Sequence, residues 1–230
     1  MIIHGLQKTT LLDYPTKVAA TVFFGGCNFR CPFCHNMNLV LHPEEEISLT
    51  EDEVLSFLRS RKGILDGVCI TGGEPTLQRD LPAFIEKIKA LDFAVKLDTN
   101  GTDPVMLKSL VEQSLLDYVA MDIKTSPDHY REVCGTDPKI DAVKESVSFL
   151  LSDPIAYEFR TTVISEYHTD AVMEEIGSWI RGAKAYYLQS YKDSPFVPDH
   201  SLHACDKDTL LRFAKIAESY VRSVSLRGVD

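Results

Sequence analysis

Short apolar runs alternate along this chain with longer stretches in which apolar residues return every three or four positions. Lys17 to Phe24 (KVAATVFF) is β-branched and aromatic and stops at Gly25, which reads as a buried strand. Thr50 and Glu53 have the spacing of a capping box, and Val54, Leu55 and Leu58 give the helix that follows one apolar face. Gly67 to Thr71 reads as a second strand. Asp80 opens a helix carrying Phe84, Ile85, Ile88 and Leu91. Phe93 to Asp98 is a third strand, and Pro104 sits in the first turn of a helix with Leu107, Leu110 and Val111. Leu116 to Ile123 is a fourth strand, followed by a helix over about 141–151. Ala156 to Ile164 is a fifth strand, with Val172, Ile176, Trp179 and Ile180 marking the next helix. Ala185 to Gln189 is the sixth strand, and Asp206 to Val221 the last long helix.

Alternating strands and helices imply a parallel sheet with right-handed crossovers. No Pro-, Gly- or Ser-rich linker interrupts the series, so one domain over 1–230 is expected. Six strand–helix units are too few for a closed eight-unit barrel, and an open, partial one fits. Chemistry then belongs at the carboxyl ends of the strands. The polar motifs fall there: a cysteine loop after the first strand, TGGEP after the second, DTNG after the third and MDIK after the fourth.

The cysteine loop, GGCNFRCPFCHN, holds Cys27, Cys31 and Cys34 spaced C-x3-C-x2-C. A structural zinc takes four protein ligands, and a 4Fe–4S cube has four irons to ligate. Three thiolates on a cube leave one iron open to a substrate or cofactor. The next cysteine, Cys69, is far along the chain. A degenerate zinc knuckle is the plain alternative. Gly25 and Gly26 suit a loop that approaches a bulky cluster, and Phe33 could lie flat on a planar base.

With its aromatic residue before the third cysteine, this motif resembles the signature of radical S-adenosylmethionine (SAM) enzymes. The resemblance implies a partial (β/α)6 TIM-like open barrel. It implies a 4Fe–4S cluster on Cys27, Cys31 and Cys34, with the open iron chelated by the methionine moiety of SAM. The loop at 25–36 is then the cluster loop, and the segment 189–230 closes or lines the barrel mouth. In this family the cluster passes one electron to the cofactor, whose cleavage yields the species that removes a hydrogen atom from the substrate.

Thr71-Gly72-Gly73-Glu74-Pro75 gives two glycines that let a ligand approach the backbone and a carboxylate that accepts from an ammonium group. A tight turn before a helix would look the same; the resemblance implies that Gly72, Gly73 and Glu74 hold the cofactor's amino group. Asp98-Thr99-Asn100-Gly101 reads plainly as a turn. Asp98 and Asp122 on neighbouring strand ends would repel unless a cation lay between them. The segment resembles activases of glycyl-radical enzymes. That resemblance implies a monovalent cation, sodium or potassium, held by Asp98 and Asp122 with Thr99 and the Ala120 carbonyl assisting. Lys124 would pair with the cofactor carboxylate, with Asp98 beside it. Arg160, a charged residue inside an apolar strand, needs a partner and is a further cofactor candidate. Gln189 and Tyr191 match more weakly, with a solvated loop as the alternative. His35 and Asn36 follow the triad; His35 is not expected to ligate. Cys69, Cys134 and Cys205 are scattered and receive no role.

The opening GLQKTTLLDYPTKVAATVFFGGCNFRCPFCHN and the closing VRSVSLRG are similar to activating proteins of anaerobic ribonucleoside-triphosphate reductase. The implied partners are that glycyl-radical enzyme and a flavodoxin- or ferredoxin-type electron donor. Pyruvate formate-lyase activase, a radical enzyme with a small-molecule substrate, and an iron–sulfur electron carrier are the alternatives. Composition adds limits. The chain has 230 residues, 44% of them apolar, enough for a full core. A net charge of -10 argues against a general nucleic-acid binder. No apolar run approaches the ~20 residues of a membrane span. No secretory signal is evident, so a cytoplasmic protein of anaerobic cells is expected, its cysteines binding metal rather than forming disulfides.

Overall fold

The structure is a computed structural model and describes residues 1–229. In chain order its first elements are β1 (Ile2–Ile3), β2 (Gly5–Thr10), β3 (Ala19–Phe24), α1 (Met37–Leu41), β4 (Leu49–Thr50) and α2 (Glu51–Arg59). Then come β5 (Gly67–Gly72), α3 (Leu81–Lys89), β6 (Ala94–Thr99), α4 (Pro104–Glu112) and β7 (Tyr118–Asp122). The remainder is α5 (Tyr130–Cys134), α6 (Ile140–Leu151), β8 (Tyr157–Val163), α7 (Asp170–Trp179), β9 (Tyr186–Ser190), α8 (Lys207–Ala217) and β10 (Val224–Arg227).

The chain forms two compact units, each assembled from separated stretches. The first comprises Met1–Cys27, Asn36–Thr99 and Asp103–Val119. In it β2 pairs antiparallel with β3, β3 runs parallel to β5, and β5 parallel to β6. Val68, Ile70, Val95 and Leu97 are fully buried. Such strands are covered on both faces, which is why they read as apolar runs rather than as alternation. Phe24 meets Phe84 of α3 edge-on, with ring centroids 5.9 Å apart. The second unit comprises Asn28–His35, Asn100–Thr102 and the chain from Ala120 onward. There β8, β9 and β10 are parallel neighbours, and Phe159, Tyr186, Leu188 and Phe213 form the buried centre. The class expected from the sequence, α/β with a mostly parallel sheet, is the one found.

The differences are short elements, α1, β4 and α5 inside the chain and three strands at its ends. β1, β2 and β10 were not expected: β1 is two residues long, β2 carries exposed Gln7, Lys8 and Thr9, and β10 is only half-buried. None offers an apolar run. The last helix stops at Ala217 rather than Val221, in a turn where Tyr220 N–H donates to the Ala217 carbonyl.

The capping box on α2 forms as its spacing predicts. Thr50 N–H donates to Glu53 Oε2 at 2.7 Å, and Glu53 N–H donates to Thr50 Oγ1 at 3.3 Å. Thr50→Ala should cost about 1 kcal/mol and lower the melting temperature by roughly 2–4 °C. A circular-dichroism melt identical to wild type would remove that assignment.

Candidate functional site

The loop after β3 is tied by its backbone to the turn after β5. Gly73 N–H donates to the Phe24 carbonyl at 2.9 Å and Glu74 N–H to the Gly26 carbonyl at 2.8 Å. A β-carbon on Gly73 would collide with the Gly26 carbonyl oxygen, and one on Gly72 with the Phe24 backbone. Gly72 also has φ = 122°, a region left to glycine. These two glycines therefore serve a backbone-to-backbone approach. That differs from the reason read in the sequence, where they made room for a ligand. Asn36 Nδ2 donates to the Gly72 carbonyl at 3.0 Å and Gln78 Nε2 to the Gly25 carbonyl at 3.1 Å, closing the same turn from its other sides. Gly26 has φ = 83° and open space where a β-carbon would stand.

Glu74 is fully buried. Its Oε1 accepts from Thr76 N–H at 3.1 Å, Thr76 Oγ1 at 2.6 Å and Thr99 Oγ1 at 2.7 Å. Asp98, on β6, is paired with Lys96, whose Nζ also lies 3.8 Å from Cys69 Sγ. Lys96 is 1% exposed. The sequence reading passed over it, although a lysine among apolar strand residues is the same signal that singled out Arg160.

In the second unit the Asn28–His35 stretch is anchored by a different set of contacts. Arg30 N–H donates to the Cys134 carbonyl at 2.8 Å. Asn28 bonds Thr102 Oγ1 at 2.8 Å and Asn100 Nδ2 at 2.9 Å. Gly135 ends α5 with φ = 66°, and a β-carbon there would strike the Arg30 carbonyl. Cys31 is buried, whereas Cys27 and Cys34 are half-buried. A hydrogen bond with Cys134 holds the Cys31 thiol below its ordinary pKa against the effect of burial, and the Lys124 charge helps. Cys134, which received no role from the sequence, thus sits beside one of the three predicted ligands. Phe33 is 5% exposed and its ring centre lies 6.4 Å from that of Tyr167. His35 packs on Tyr191 at 5.9 Å.

Asp122, at the end of β7, receives Arg160 Nε at 2.8 Å and Lys124 Nζ at 2.9 Å. Burial opposes the charged form of Asp122, but Arg160 and Lys124 outweigh it and hold the carboxyl far below the usual range. Burial likewise opposes the Lys124 ammonium, and Asp122 and Cys31 overcome it and raise that pKa. Lys124 is positioned by its backbone: its N–H donates to Tyr130 Oη at 3.1 Å, and His168 Nε2 lies 3.1 Å from its carbonyl oxygen. Ala120 is fully buried in the same strand.

The segment after β9 lies against this stretch. Asp199 N–H donates to the Pro32 carbonyl at 3.1 Å, and Ser165 N–H to the His203 carbonyl at 3.0 Å. Glu166 accepts from His203 N–H at 3.1 Å and pairs with His203 Nδ1 at 2.7 Å. Burial alone would raise the Glu166 carboxyl; the His203 bonds outweigh it and bring it down to about 2. A depressed carboxyl stabilises the fold above its unfolded value, about 4.3, and that stabilisation fades as pH falls toward 2. Glu166→Gln should therefore flatten the loss of melting temperature between about pH 4 and pH 2. A slope equal to wild type would contradict the pairing.

These features define a class: an α/β protein with a three-thiol loop after one parallel strand and a glycine–glycine–glutamate turn bonded to its start. Residues 21–174 match the Radical SAM superfamily, and the chain belongs to it. It is 30% identical to a protein of Methanocaldococcus jannaschii named "Putative glycyl-radical enzyme activating enzyme", over all of this chain and 97% of that one. Streptococcus suis SuiB bound to S-adenosylmethionine superposes with a TM-score of 0.68 at 16% identity, over 90% of this chain and 52% of that one. TYW1 with a lysine-pyruvate adduct gives 0.61 at 17% identity, over 87% and 73%. At those identities the likeness shows the fold alone. Membership makes the chain an enzyme and implies a 4Fe–4S cluster and S-adenosylmethionine. Among the described residues no helix is long and apolar enough to cross a membrane.

The donor set fits the cluster, since Cys27, Cys31 and Cys34 are three thiols on one loop and no disulfide joins them. Asp98 is already paired with an ammonium, Asp122 with an ammonium and a guanidinium, and the Thr99 hydroxyl is directed to Glu74.

Proposed function

We propose that the chain is the activating enzyme of a glycyl-radical enzyme, anaerobic ribonucleoside-triphosphate reductase, and works in the cytoplasm with a flavodoxin- or ferredoxin-type electron donor. The observation that carries this reading is the 30% identity along the whole chain to the protein named "Putative glycyl-radical enzyme activating enzyme". The flanks of the cysteine motif support the choice of target. When bound, the cluster and S-adenosylmethionine supply one-electron cleavage of the cofactor, ending in removal of a hydrogen atom from a glycine of the partner.

The chain's own residues bind, orient and shield. Cys27, Cys31 and Cys34 hold the cluster. Gly72 and Gly73 bring the turn against the cluster loop, and Glu74, fixed by three donors on one oxygen, takes the cofactor's amino group. Lys124 and Arg160, both oriented by Asp122, would pair with the cofactor's carboxylate. Phe33 would lie by the adenine. The segment from 189 onward lines the mouth of a single working domain.

The test is to mix the reduced, iron-loaded protein with S-adenosylmethionine and the reductase, then record electron paramagnetic resonance spectra. A glycyl radical on the reductase is the expected result. Cofactor cleavage without transfer there, but with transfer to pyruvate formate-lyase, would move the target and keep the activase reading.

A further inference from the structure

We propose that Lys96 is the built-in cation of the Asp98 carboxylate, so that this chain binds its cofactor without a monovalent metal ion. The proposal rests on the cofactor reading above. It starts from a lysine that the proposed chemistry leaves unused.

Lys96 lies in the middle of β6 and is 1% exposed, between the fully buried Val95 and Leu97. An ammonium in such a place needs a partner, because burying an unpaired charge is strongly unfavourable. Residues two apart on a strand share a face, and the partner is Asp98, two residues on. Across the parallel register Lys96 stands opposite Cys69 of β5, and its Nζ lies 3.8 Å from the sulfur. Its stem and head are thus enclosed by the strands that carry the candidate site.

A metal ion at Asp98 would add a positive charge to a pair that is already neutral. Displacing the ammonium instead would leave it buried with only a thiol nearby. Neither arrangement competes with the ion pair as it stands. The Asp98 side chain is itself only 14% exposed, so water offers the displaced charge little compensation. Asp122 has its own guanidinium and ammonium. Lys96 thereby acts as a positioning residue, holding the Asp98 side chain in the geometry that the β6 end presents.

The experiment measures equilibrium binding of S-adenosylmethionine to the iron-loaded, unreduced protein, in which the cofactor is not consumed. It is done by calorimetry in choline, sodium and potassium chloride at equal ionic strength. Wild type should bind with the same Kd, within about twofold, in all three. Lys96→Met keeps the stem and removes the charge. It should bind at least tenfold more weakly in choline and recover in sodium or potassium. Wild-type binding that weakens tenfold on removal of sodium and potassium overturns the proposal, and this arm stands even if Lys96→Met does not fold. Lys96→Met binding that is unchanged in choline also overturns it. Absence of binding in every salt, by protein with full iron content, would sink the cofactor reading and this proposal with it.

Discussion

Cys31→Ala should reduce cluster iron from about four per chain to well under one and bring S-adenosylmethionine cleavage below detection. On the proposed reading the cube would be held by three thiolates, and two would not fix it on a loop. Cys31 is the most instructive of the three because it is the buried one, 5% exposed. Its neighbour Cys134, whose hydrogen bond keeps the Cys31 pKa down, offers a substitute thiol. Residual iron in Cys31→Ala that disappears in the Cys31→Ala/Cys134→Ala double variant would identify that rescue. Cys69→Ala, remote in sequence and buried in β5, is the control and should keep its iron. Iron uptake undiminished in Cys31→Ala and in the double variant would overturn the ligand assignment, as would stoichiometric zinc in the wild type.

What the sequence made legible is what it encodes locally. The cysteine spacing, the capping box at Thr50 and the Pro104 helix start each need only a few consecutive residues, and the strand series was visible because doubly covered strands are apolar runs. The contacts that build the site are of another kind. Thr99 reaches Glu74 across 25 positions and Arg160 reaches Asp122 across 38. Such pairings depend on strand register, which no local pattern states. The sequence offered Asp98 and Asp122 as carboxylates short of a cation, whereas the fold gives each one from its own strand or the next. Lys96 was within reach of the same reasoning that found Arg160, since both are charges inside apolar strands. Cys134 was not, because α5 is five residues long and shows no period. The backbone contact at the glycine pair was not legible for a related reason: a backbone that approaches glycine leaves the same sequence trace as a ligand that does.

Gly73→Ala separates those two uses of glycine. Gly73 does not have a positive φ, so alanine there meets no backbone strain of its own. Its β-carbon would instead be driven into the Gly26 carbonyl oxygen, beside Cys27. That contact is backbone against backbone, so no side chain can turn aside. The Gly73 and Glu74 amides would have to give up their bonds to the Phe24 and Gly26 carbonyls. Overpacking of this kind costs ~3 kcal/mol, which for a chain of this size lowers the melting temperature by about 6–12 °C. Gly63→Ala is the comparison: φ is 78° and the space is open, so only the left-handed conformation is penalised, at about 1–2 kcal/mol. The protein without cluster or cofactor should already show the larger loss for Gly73→Ala, because the two backbones meet whether or not a ligand is bound. If Gly73→Ala melts within about 2 °C of wild type without cofactor and loses only cofactor affinity, the pair makes room for the ligand and the backbone argument fails.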